Sequence, residues 1–335
     1  MKATGKILAT VGLIGLVGVL WNSTEWAIAK DPDYPTKPIN FYIGWSVGGT
    51  TDMAARPLID AAGQDLGQPF VPINRPGASG ALAATSVMNA VPDGYTLGAS
   101  ASSNLVVAPL SGDVPFKDLS GFTQVMNFGV YLYTLMVRSD APWKTWKEFE
   151  EWAKKNPGAA KIGITGAKSA DIKGIALWQV EKRQQIKFTY VAFKGSTEVL
   201  TNTLGGHITM YGASLDPSTM AYIKEGKLRP LLYLCREKMP GYENIPSVEE
   251  LYGIRVPNFM GIFGPKGIPE YALGRLDDAF AKAVKDSKFV NVMNQMCTPV
   301  VYMPRDKMKE HVEKDFLEVS KVIKLLKAEE AAEKK

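Results

Sequence analysis

The sequence predicts an α/β protein with mainly parallel sheets, and three stretches carry that reading. A short β-type run, Ile39 to Ile43, enters the glycine pair Gly48-Gly49 and then a helix pattern opening on Thr50-Thr51-Asp52. The same order of apolar strand, glycine loop and alanine-rich helix returns from Val71 to Ala84, through Asn74-Arg75-Pro76-Gly77-Ala78-Ser79-Gly80. It returns again where Lys161 to Ile164 runs into Thr165-Gly166-Ala167-Lys168-Ser169-Ala170-Asp171 and a helix over Ile172 to Gln184. Strands alternating with helices favour parallel pairing, with helices on the sheet faces.

The first two units suggest chemistry as well as shape. Gly48 and Gly49 allow a sharp bend and a close approach of backbone to a ligand. Thr50, Thr51 and Asp52 are each good helix N-caps. Unpaired N–H groups at a helix start, aided by the helix dipole, favour a negative group. Trp45, Gly49, Thr50, Thr51 and Asp52 therefore form one candidate anion seat, and Gly77, Ala78, Ser79 and Gly80 a second. Consecutive parallel strands place both helix starts on one sheet edge, where open α/β sheets bind ligands. An ordinary βα turn uses the same residue types, so composition alone leaves that reading open. Trp45 suits either an apolar wall or the core.

The rest of the chain continues the alternation. Val91-Pro92-Asp93-Gly94-Tyr95 is a turn signal, and Thr96 to Ser100 reads as a strand. Ser102, Ser103 and Asn104 follow it, placed either to contact a ligand or to cap the Leu105 to Leu110 segment. Phe122 to Val137 holds two strands, the second (Tyr131 to Val137) crossing into another domain. Thr145 opens a helix with Trp146, Phe149 and Trp152 on one face, and Asn156-Pro157-Gly158 ends it. Phe188 to Phe193 is a strand running into Lys194-Gly195-Ser196, where Ser196 caps a helix over Thr197 to Leu204. Ile208 to Tyr211 is a strand leading to Ser214 and Asp216, and Leu231 to Cys235 is another. Residues 269–296 read as two helices and Arg305 to Leu326 as a last one, with the charged residues 327–335 expected to fray.

Composition narrows the function. The chain has 335 residues, 46% hydrophobic and 22% charged, enough for two domains of ordinary size. Its net charge of +5 is spread without a dense basic block, which argues against nucleic acid. Cys235 and Cys297 are the only cysteines, and His207 and His311 the only histidines. They stand in unrelated patterns, so neither a zinc site nor a Ser-His-Asp centre is easily built. The cysteines read as small buried apolar residues, although export would permit a disulfide. Gly48-Gly49 lacks the spacing of dinucleotide or phosphate loops, and no cofactor is expected. Lys2 and Lys6, an uncharged stretch over Ile7 to Leu20, and Ala27-Ile28-Ala29 predict a cleavable signal peptide over residues 1–29. No cysteine follows that stretch closely, which disfavours a lipid anchor.

Four motifs in order sharpen the reading. They are Tyr34-Pro35-Thr36-Lys37-Pro38-Ile39, Gly48-Gly49-Thr50-Thr51-Asp52 with Ala55-Arg56, Asn74-Arg75-Pro76-Gly77-Ala78-Ser79-Gly80, and Pro92-Asp93-Gly94-Tyr95-Thr96-Leu97. Together they resemble the Bug/TctC family, the periplasmic solute receptors of tripartite tricarboxylate transporters, across nearly the whole mature chain. The resemblance implies the type II periplasmic-binding-protein fold: two doubly wound lobes joined by crossing strands, with a ligand cleft between. One lobe would take residues 34–132 plus 260–335, the other 133–259. It implies a monomer that is not an enzyme. This receptor would grip a small carboxylate through the two glycine loops and deliver it to membrane subunits. Gly166, Ala167, Lys168, Ser169, Lys194 and Ser214 would read the rest of the ligand. The family usually carries a histidine near the start of the helix after Gly166, and often an acidic or amide residue near Ser214. This chain has Lys168 and Asp171 at the first place and Ser214 and Asp216 near the second. Lys168 can pair with a second carboxylate or be solvated. A sensor that hands the loaded module to a signalling receptor would use the same residues, and a phosphate-loop enzyme is the remaining alternative.

Overall fold

β-branched and aromatic runs pair into two sheets, and a computed structural model describes residues 33–112, 114–165, 167–193 and 195–333. The expected signal peptide lies outside the described residues. The first lobe opens with β1 (Ile39–Ile43), α1 (Thr50–Leu66), β2 (Phe70–Asn74), α2 (Ala81–Met88), β3 (Thr96–Ala101), α3 (Ala108–Ser111) and β4 (Phe122–Gly129). The chain then crosses into β5 (Tyr133–Arg138), α4 (Trp146–Lys155), β6 (Lys161–Ile164), α5 (Ile172–Gln184) and β7 (Thr189–Ala192). The same lobe continues through α6 (Ser196–Leu204), β8 (Met210–Ser214), α7 (Pro217–Lys224), β9 (Leu228–Tyr233) and α8 (Val248–Tyr252). It returns as β10 (Met260–Pro265) and closes with α9 (Glu270–Ala283), α10 (Ser287–Gln295), β11 (Val300–Met303) and α11 (Arg305–Glu333).

The first sheet has the order β11-β4-β10-β3-β1-β2 and the second β7-β6-β8-β5-β9. Each is mixed. β1 is parallel to β2 and β3, and β6 is parallel to β7 and β8. The strands next to the crossings run the other way: β10 is antiparallel to β3 and β4, and β5 to β8 and β9. Parallel pairing is thus confined to the strand–helix–strand units read from the sequence. Residues that leave one lobe for the other reverse direction.

Two crossings knit the lobes. The Tyr131 amide donates to Asn258 Oδ1 at 3.0 Å, and Asn258 Nδ2 donates back to the Tyr131 carbonyl at 2.6 Å. Both residues are buried, so leaving these groups unpaired would be costly. On the second lobe the expected aromatic face of α4 packs inward. Phe149 is fully buried between Trp146 and Trp143, and Thr145 Oγ1 caps the helix by accepting from the Glu148 amide at 3.2 Å.

Several expectations need amendment. Gly49 precedes α1 with no side-chain cap, so neither Thr50, Thr51 nor Asp52 plays that role. Ser196 is the first residue of α6, not its cap; Gly195 stands there. Residues 327–333 do not fray: α11 runs on to Glu333. There Lys327 donates to the Leu110 and Ser111 carbonyls, and Lys182 pairs with Glu329 at 2.6 Å. β11 was not foreseen. Both cysteines are free thiols, Cys235 buried.

Candidate functional site

The loops after β1, β2 and β6 end on one side of their sheets. They face one another across a cleft of about 480 Å³ between the lobes. That volume suits a small molecule. From the first lobe, Trp45, Gly49, Thr50, Thr51, Gly77, Ser79, Gly80 and Ser103 line it; from the second, Ser214. Those are the candidates that the structure brings together.

The two glycine loops touch. A Cβ on Gly44 would lie 2.6 Å from Gly80 Cα and 2.9 Å from its carbonyl oxygen. Only a residue without a side chain permits that approach. The second loop is coiled in a left-handed sense, with φ of +134° at Gly77, +46° at Ala78, +54° at Ser79 and +91° at Gly80. Such turns can gather successive N–H groups on one concave side, and strain of this kind accompanies ligand clamps. The Thr50 and Thr51 amides belong to the first turn of α1, where no earlier helical carbonyl can accept from them. The Gly49 and Gly80 amides are spent within the loops, on Ser46 and Gly77 carbonyls at 3.1 and 3.0 Å. These two glycine amides are therefore not free to donate elsewhere.

Other candidates brace the site from behind. Asp52 is 2% exposed and is not part of the cleft wall. It accepts from the Gly48 amide at 2.9 Å, from Arg56 at 2.8 Å and from Asn74 at 2.8 Å. Burial alone would raise its pKa. The hydrogen bonds from Arg56, Asn74 and Gly48 outweigh that and hold it below the ordinary carboxylate value. Asn104 is fully buried, accepting from the Ala101 amide at 2.8 Å, with its Cβ close beneath Gly80. Ser102 is buried behind the wall, and Ala78 points to solvent. Trp45 does both jobs considered for it: its ring covers Gly80 and lines the cleft.

On the second lobe Lys168, singled out by the sequence, lies outside the cleft wall, whereas Lys173 lies in it. Lys168 Nζ pairs with Glu181 at 3.2 Å and lies 4.9 Å over the Tyr190 ring. With Ala167 it borders a separate cavity beside Glu329, and Ser169 is absent from the cleft wall. Gly166 and Lys194 lie outside the described residues. The cleft wall here includes Tyr131 from the crossing, then Tyr133, Thr165, Asp171, Lys173, Gly195 and Ser196, with Ser214. Tyr131 and Tyr133 stack at 5.6 Å, and the Tyr131 hydroxyl meets Thr51 Oγ1 at 2.6 Å, joining the two walls. Burial pushes the Tyr131 hydroxyl up to about 12, so it stays a neutral hydrogen-bonding group. The period-2 pattern of Tyr131 and Tyr133 at a crossing was the available signal for them. Among the described residues no cluster could hold a metal ion, and no helix is long and apolar enough to cross a membrane.

Known proteins are similar to this chain in sequence and fold. A family model described as "Tripartite tricarboxylate transporter family receptor" matches residues 54–327. The "UPF0065 protein in gbd 5'region" of Cupriavidus necator is 31% identical over 278 residues, covering 83% of this chain and 84% of that one. A TctC solute-binding protein from Polaromonas has a TM-score of 0.74 at 26% identity, covering 87% of this chain and 99% of that one. MatC from Rhodopseudomonas palustris, solved with bound malate, has a TM-score of 0.71 at 23% identity, covering 87% of this chain and 100% of that one.

Proposed function

The chain belongs to the tripartite tricarboxylate transporter receptor family, and from that premise we propose that it captures a small carboxylate in the interlobe cleft and delivers it to the membrane subunits of such a transporter. The family and its solved neighbours are solute-binding proteins, not enzymes. The ligand class is a di- or tricarboxylate or an aromatic acid. The protein works as an exported, periplasmic monomer. One observation carries the reading: two glycine loops and the start of α1 converge on one cleft, and among the described residues they bring no charged side chain to it. The first wall must then hold an anion by oriented amides and dipoles.

Closure follows from the same layout. The seat belongs to one lobe and the opposing wall to the other, so a ligand touching both favours the closed arrangement by its differential affinity. Calorimetry with a panel of mono-, di- and tricarboxylates and aromatic acids tests this. At least one acid is expected to bind with a Kd of about 1 μM, roughly −8 kcal/mol. Absence of heat and of any thermal shift with every acid would overturn it.

A further inference from the structure

Lys173 was not singled out by the sequence, yet it and Asp171 are the only charged side chains among the described residues of the cleft wall. We propose that Lys173 receives a second, distal carboxylate, so that the preferred ligand is a diacid spanning both lobes. The inference rests on the carboxylate-receptor reading and adds the ligand's second end.

The Lys173 side chain is 8% exposed. Its Nζ lies 2.9 Å from Asp171 Oδ1 and 4.9 Å over the Tyr133 ring. Among the described residues that nitrogen makes no further ion pair and no hydrogen bond to another residue. An ammonium carries three donors. The Asp171 carboxylate and the Tyr133 ring face it on two sides, which leaves donor capacity at the edge of a cavity. A buried ion pair is repaid for desolvation only when its remaining protons find partners. The cleft is where that partner can come from.

Asp171 does not compete for the same role. It is the N-cap of α5; Oδ1 accepts from the Lys173 amide at 2.7 Å and Oδ2 from Thr165 Oγ1 at 3.1 Å. Its charge is answered by Lys173, while the start of α5 adds roughly half a positive charge. The Lys173–Asp171 pair leaves the second wall without net charge, the start of α5 favours an anion there, and on the proposed reading the first wall takes one carboxylate by its amides. A molecule with an acid at each end satisfies both. Lys168 is no rival, since Glu181 holds it outside the cleft.

The test compares straight-chain monoacids and diacids of equal carbon number, from four to six carbons, by calorimetry on the purified protein. The wild type should prefer the diacid by about tenfold or more, the worth of one hydrogen bond to a charged group. Lys173→Met should weaken the diacid by about 30-fold and the monoacid by less than about threefold. Because that variant strands a buried carboxylate, the double variant Lys173→Met/Asp171→Asn is measured beside it. Retained monoacid binding with the same loss of diacid preference is the expected result. Equal affinity for both acids in the wild type, or equal losses in the variants, would overturn the role of Lys173 and leave the receptor standing. Failure of every straight-chain acid to bind the wild type would overturn the diacid proposal, and failure of the tricarboxylates and aromatic acids as well would overturn both.

Discussion

The first lobe meets the cleft with glycine loops, a helix start and uncharged side chains, the second with rings, hydroxyls and an ion pair. On the first wall, Gly44 and Gly80 are in contact, φ is positive throughout the loop from Gly77 to Gly80, and the Asp52 carboxylate is buried and paired with Arg56 behind it. On the second wall, hydroxyls and rings stand around a buried ion pair. A wall of backbone recognises a group common to many ligands and tolerates little change in chain path. A wall of side chains can vary residue by residue and so sets which ligand is preferred. The difference predicts that equal-sized substitutions will have unequal effects on the two sides.

The largest effect is expected at Gly44. Its added Cβ would meet the Gly80 backbone, which cannot rotate away. Gly44→Ala should force the loops apart, cost about 3 kcal/mol of stability and weaken acid binding by roughly 100-fold. Thermal melting and calorimetry measure the two losses.

A smaller, pH-dependent effect is expected at Asp52. Its folded pKa is depressed, so its contribution is present above the ordinary value of about 4 and is lost as pH falls through the folded value. Asp52→Asn should lower stability at neutral pH by about 2 kcal/mol and flatten the acid side of the stability curve below about pH 4. An unchanged acid limb in chemical denaturation would show that the Arg56 and Asn74 bonds add nothing.

The smallest effect is expected on the opposite wall. Gly195 also lines the cleft, but a Cβ there meets nothing within 4 Å and its φ is −162°, open to any residue. Gly195→Ala should change stability by less than about 0.5 kcal/mol and acid affinity by less than about threefold. A loss matching that of Gly44→Ala would erase the contrast between the walls.

The same contrast explains what could be read from the chain. Glycine loops and helix starts are local signals, so Gly49, Thr50, Thr51, Gly77, Ser79 and Gly80 were found with their place in the cleft. Contact between loops is tertiary, and Gly44 was missed for that reason. Lys168 and Lys173 sit in one loop–helix unit, and nothing local separates them. Glu181, one helix length away, claims the first, while the second follows the Asp171 cap into the cleft. Asp52 has the composition of a ligand residue, but Arg56 one turn on and Asn74 on the next strand claim it. The sheets were legible from alternation in β1, β2 and β6. Four-residue β11, half-exposed against β4, offers no such run.

The most direct test of the anion seat is the structure of the protein with the tightest acid from the panel. The account predicts a carboxylate within about 3 Å of main-chain nitrogens at Thr50–Thr51 and in the Ala78–Ser79 turn, with no arginine or lysine from the first lobe touching it. An acid bound elsewhere, or held in the cleft by cationic side chains while those amides face empty space, would contradict it.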